Sequence, residues 1–170
     1  MTLSLSEQAR SDLQTLIESV QPASLLLVAG ARDYAPLVNE AAGDCRTQHV
    51  DRDTLCGQLD ELAIFDVVLL AGVLENLARY EAETLIGRLR DLHSRHLFMF
   101  VRMGNGWSDL KSHWRRNDLL AYGFSLHGRY KENDREYHLY RFELETYKTT
   151  PEWLNSQYWA NPELFDKFRW

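Results

Sequence analysis

An α/β fold, a mostly parallel sheet sandwiched between two helical layers, is predicted by three apolar runs and by the periodicities around them. The runs are Leu25–Ala29, Val67–Ala71 and Leu97–Val101. Each is too short for a helix and apolar on both faces, the pattern of a central parallel strand covered on each side. Segments of helical period separate them, as β-α-β crossovers demand. After the third run the period falls to two, which adds an antiparallel hairpin at the C-terminal end of the domain.

Taken in order, a first helix is expected from Glu7 to Val20, with Leu13, Leu16, Ile17 and Val20 inward, Ser6 as N-cap and Pro22 as the stop. Arg46–Val50 reads as a shorter, more polar strand nearer an edge. Leu55, Leu59 and Leu62 give the stretch from Arg52 to Asp66 a helical period and leave little room for another strand. Tyr80 to His93 is the best amphipathic segment, with Ala82, Leu85, Ile86, Leu89 and Leu92 on one stripe. Ser108 to Tyr122 reads as a helix after the Gly104-Asn-Gly106 break. In the hairpin, Phe124, Leu126, Gly128 and Tyr130 form one set and His138, Tyr140, Phe142 and Leu144 the other. The Asn133-Asp134 turn joins them; if the apolar sets share a face, Phe124 opposes Leu144 and Leu126 opposes Phe142, a register that requires an odd loop, most simply Asn133-Asp134-Arg135. About six strands result.

At 170 residues, 45% hydrophobic and 26% charged, the chain suits one globular domain. Residues 1–149 are read as that domain and 150–170 as an aromatic tail packed on it or at an interface. Trp153, Tyr158, Trp159, Phe165, Phe168 and Trp170 crowd the tail, and leaving all six in water would expose a large apolar patch. Self-coverage is the first reading, and a homodimer or protein partner the second. The formal net charge of −6 argues against broad binding of a phosphate backbone, so nucleic acid is not an expected partner. Lys111, His113, Arg115 and Arg116, with Trp114 among them, make a local basic cluster on one expected helix. Cys45 and Cys56 form no C-x-x-C pair and suit a reducing compartment. The polar start, Met1 to Arg10, is no signal peptide, and no apolar stretch approaches the roughly 20 residues of a membrane helix. A soluble, cytoplasmic protein is expected. His93 and His96 straddle a helix end without a further ligand nearby, so no metal site is expected.

The element order, together with the block Phe65-Asp-Val-Val-Leu-Leu-Ala-Gly-Val-Leu-Glu-Asn-Leu77, resembles the class I S-adenosylmethionine-dependent methyltransferases. The block matches that family's fourth strand and following turn, and the resemblance spans roughly residues 5 to 145. It implies a Rossmann-like sandwich lacking the family's third strand, with S-adenosylmethionine (SAM) as the cofactor. In the family, the first strand leads into an acidic residue and a G-x-G-x-G loop whose missing side chains let the backbone approach the cofactor. Here the stretch is Leu26-Leu-Val-Ala-Gly30-Ala-Arg32. Gly30 alone survives, and Arg32 stands where a glycine belongs, so the loop reads as degenerate. Asp51 matches the acidic residue that accepts hydrogen bonds from the ribose.

Gly30, Asp51 and Ala71 are therefore the cofactor-side candidates, although Gly30 also suits any tight strand-to-helix turn and Asp51 any helix N-terminus. Asn105 and Trp107, in the loop Met103-Gly-Asn-Gly-Trp107 at a strand's carboxyl end, are the substrate-side candidates. Trp107 suits equally well a role folded over the sheet. No residue stands out as a catalytic acid or base, since Asn76 replaces the histidine usual after Glu75. Two functions follow: a non-catalytic methyltransferase-like domain acting through protein contacts, and a small SAM-dependent methyltransferase of unknown acceptor.

Overall fold

The computed structural model describes residues 5–29, 34–104 and 107–143. Six strands form one sheet in the order β2-β1-β3-β4-β6-β5: β1 Ser24–Ala29, β2 Arg46–Val50, β3 Phe65–Ala71, β4 Ser94–Arg102, β5 Ser125–Glu132 and β6 Arg135–Glu143. The first four strands pair in parallel, and β6 runs antiparallel to both β4 and β5. The helices are α1 Glu7–Val20, α2 Ala35–Ala42, α3 Arg52–Gln58, α4 Arg79–Arg88 and α5 Arg116–Ala121. This is the expected α/β sandwich, with no strand between α3 and β3. The segment 150–170 lies outside the described residues.

The apolar runs bury both faces because alternate residues feed two separate cores. Leu26, Val28, Val68, Leu70, Leu97 and Met99 pack with α3, α4 and α5. Leu25, Leu27, Val67, Leu69, Phe98 and Phe100 pack with α1 and α2. Ser6 caps α1 as expected, its hydroxyl accepting from Ala9 N at 3.3 Å.

Three local expectations are corrected. The hairpin closes through the two-residue turn Asn133-Asp134, with Glu132 opposite Arg135. Both turn residues have positive φ (48° and 63°), the geometry that matches strand twist and that Asn and Asp tolerate. Leu126 consequently faces Tyr140, not Phe142, and an extra residue at His127 bulges β5 before Gly128 pairs with Leu139. The bulge swaps faces: Leu126 belongs to the α4 side, whereas Tyr130 belongs to the α1 side. Second, α4 ends in a π-helical turn, Leu89–His93, whose extra residue carries Leu92 out of the apolar stripe to 60% exposure. Third, only Arg116–Ala121 of the stretch 108–122 is helical, so the basic cluster does not share one helix. Trp114 leaves that cluster altogether and is buried in the core.

Candidate functional site

The carboxyl ends of β1, β3 and β4 form the rim where ligands of open α/β sheets bind. Ala29 and Ala71 are register partners there, and Asp51 follows Val50, the partner of Val28. Ala71 and Asp51 thus stand along one edge, two strands apart. Ala71 is buried in the sheet. Asp51 is exposed at the N-cap of α3, and its carboxylate makes no capping hydrogen bond. Gly30 and Asn105 lie outside the described residues. Trp107 follows the end of β4 and is buried in the same packed group as Ala29 and Ala71. It is 3% exposed, donates its indole N–H to Glu136 O at 3.1 Å, and lies under the guanidinium of Arg135 at 4.3 Å.

Between these positions lies a buried charged centre built on Glu75. Gly72 turns the chain after β3 at φ +64°, a conformation that favours glycine. The turn brings Glu75 back beneath the rim with no solvent exposure. Its carboxylate accepts from Arg102 N at 3.3 Å and lies 3.6 Å from the Arg102 guanidinium. Arg102, at the end of β4, is 1% exposed, reaches Asp109 at 3.5 Å and lies 5.0 Å from the Trp107 ring. Glu75 also anchors the irregular segment above it. Its carbonyl accepts from Lys111 N (2.8 Å) and Ser112 N (3.2 Å). Ser112 Oγ in turn donates to Leu74 O and accepts from the Trp114 indole.

Burial pushes the Glu75 carboxyl up to about 7, although its own backbone N–H and the nearby Arg102 oppose the shift. The Glu75 Oε2 atom is buried without a hydrogen-bond partner. Tyr34, at the start of α2, is 4% exposed and belongs to the packed group that includes Ala29, Ala71, Phe100 and Tyr137. Its hydroxyl is raised far above the ordinary phenol range, by burial first and by the Glu75 charge second. A buried tyrosine therefore belongs to the core group that holds the last residues of β1 and β3. The sequence places Glu75 at the carboxyl end of a central strand, but nothing local in it shows that Arg102 and Tyr34 meet it there.

Among the described residues, no group of three His, Cys, Asp or Glu side chains could hold a metal ion. No helix there is long and apolar enough to cross a membrane.

A family model described as a family of unknown function (DUF6231) matches residues 7–170. The chain belongs to this family. No curated protein sequence matches it. In three dimensions it is similar to a structure from Nostoc punctiforme PCC 73102 assigned to the O-methyltransferases, at 12% identity and a TM-score of 0.57. That match covers 79% of this chain and 55% of the other, so the chain spans about half the length of that neighbour. A structure from Thermobifida fusca YX assigned as a methyltransferase gives 13% identity and a TM-score of 0.52, covering 79% and 80%. Magnesium protoporphyrin IX methyltransferase from Synechocystis PCC 6803, solved with bound SAH, gives 12% identity and 0.47, covering 83% and 89%. The fold is that of the class I SAM-dependent methyltransferases, as the sheet order and the terminal antiparallel pair also indicate. Likeness at this level speaks to fold and leaves activity to the site.

Proposed function

We propose that this is a methyltransferase-like domain that no longer takes its cofactor in the family's manner and acts through protein contacts. The observation that carries the reading is Tyr34, buried in the same packed group as Ala29 and Ala71, which end the strands where a glycine loop would otherwise receive SAM. A side chain cannot share that volume with an adenosyl group. The loop sequence Gly30-Ala-Arg32 adds to the objection, since Arg32 replaces a glycine. The charged groups beneath do not supply an alternative chemistry. An acid or base must reach its substrate, and Glu75 and Arg102 are enclosed by Trp107 and the 107–114 segment. Contacts with another protein are supported by the aromatic composition of residues 150–170 and by the exposed Tyr80 and Leu120.

One observation favours the alternative, a SAM-dependent methyltransferase of unknown acceptor. Asp51 stands exposed and uncapped at the carboxyl end of β2, where the family's ribose-binding acid belongs. Calorimetric titration of the full chain with SAM and with S-adenosylhomocysteine separates the two. The expected result is no binding of either at millimolar concentration. Micromolar binding that Asp51→Ala abolishes overturns the proposal and restores the enzyme.

A further inference from the structure

We propose that the groove between the C-terminal ends of α1 and α2 is the docking site of the chain's own segment Lys167–Trp170. The groove has a volume of about 490 Å³. Pro22, Ala41 and Ala42 give it an apolar floor, while Glu18, Glu40 and Asp44 stand around it. No Lys or Arg is among its lining residues within the described part of the chain. The backbone adds to the same sign of potential. Both helices point their C-terminal carbonyls here, and neither has a basic residue in its last turn to complement the dipole. The site therefore asks for cations carried beside apolar bulk.

The chain contains such a segment. Lys167-Phe168-Arg169-Trp170 interleaves two cations with two large rings. Its tether starts at the correct end of the sheet. β6 finishes at Glu143, the Cα partner of His96 near the start of β4, which is the end of the sheet that also holds Pro22, Ala23 and the groove. Four interstrand steps from β6 to β2 amount to about 19 Å, and a helix layer lies about 10 Å above a sheet. The linker from Glu143 to Lys167 spans at least about 36 Å even if wholly helical, so the reach is sufficient. A tether of this length holds the segment at roughly millimolar effective concentration, so moderate contacts suffice to seat it. This reading is independent of whether SAM binds.

Cys45 lines the groove and is half-exposed, which provides a direct test in the full chain. Disulfide formation requires Cα atoms within about 7 Å, so trapping reports proximity. In a Cys56→Ser background, Asp166→Cys places a thiol beside the segment without removing its cations or rings, and Ser156→Cys serves as a tail position outside it. Under mild oxidation, residue 166 should join Cys45 within one chain at least tenfold faster than residue 156 does. Glu18→Lys with Glu40→Lys, both at exposed positions, should slow the reaction at 166 at least tenfold. Equal rates at 156 and 166, indifference to the charge reversal, or a disulfide found only between two chains would each overturn the proposal.

Discussion

Glu75→Gln is expected to stabilise the protein strongly at pH 8 and only slightly at pH 5. The folded state holds the carboxyl up near 7 against an ordinary value of 4.5, chiefly because the group is fully buried. A carboxyl that ionises less readily in the fold than in the unfolded chain makes the native state bind the extra proton. Its contribution is present in full below the unfolded value and is lost as pH rises through the folded one. Stability should thus decline between about pH 4.5 and 7, by about 3 kcal/mol in all, since each unit is worth about 1.4 kcal/mol. Glutamine mimics the protonated form. Its amide oxygen can still accept from Arg102 N, and Asp109 still faces the guanidinium. Chemical denaturation of both proteins at pH 5 and pH 8 measures the difference, and every other titrating group cancels in it. The expected gain for the variant is about 3 kcal/mol at pH 8 and about 1 kcal/mol or less at pH 5. A variant weaker than the parent by the same amount at both values would refute the reasoning. It would mean that the ionised pair with Arg102, at 3.6 Å, outweighs the cost of burying the carboxylate.

Two further predictions concern the hairpin. At Gly128 an added Cβ would fall 2.0 Å from the Tyr130 hydroxyl and 2.5 Å from its ring. That hydroxyl donates to Asp12 at 2.6 Å, so the ring is not free to yield. Gly128→Ala should cost about 2–3 kcal/mol in urea unfolding, as overpacking and the lost hydrogen bond combine. A loss under about 0.5 kcal/mol would show that the ring swings aside. Asp134→Gly should stabilise by about 0.5–1 kcal/mol, because glycine takes the turn's φ of 63° without steric cost. A drop in the denaturation midpoint would instead show that the Asp134 side chain itself supports the turn.

The sheet was legible because its signal is redundant. Three five-residue apolar runs leave little choice about which strands are central, and the polar Arg46–Val50 could only sit outside them. The errors arose where one residue changes the phase without changing the composition. His127 and the π-helical turn at Leu89–His93 each insert a residue, and each turns the following side chains to another face. A pattern count assumes constant phase, so Tyr130 and Leu92 were assigned by a periodicity that had already broken. The stretch 108–115 failed for a different reason. Its backbone N–H groups at Lys111 and Ser112 are satisfied by the carbonyl of Glu75 and not by a helix, and such a tertiary partner leaves no local trace.

The rim of the sheet shows the same limit at the level of function. Asp51 and Ala71 could be placed by strand matching, because each follows from where a strand ends. The centre beneath the rim is assembled from Tyr34, Glu75 and Arg102, which belong to three elements and meet only through the order β1-β3-β4. Read singly, Glu75 looked like an ordinary residue at a strand's carboxyl end, and Arg102 like the polar stop after an apolar run. Together they form a buried ion pair that costs desolvation. A binding end built for a cofactor would keep such groups accessible. Their enclosure, with Trp107 5.0 Å from Arg102 and Tyr34 in the neighbouring core group, could be read only from the assembled fold.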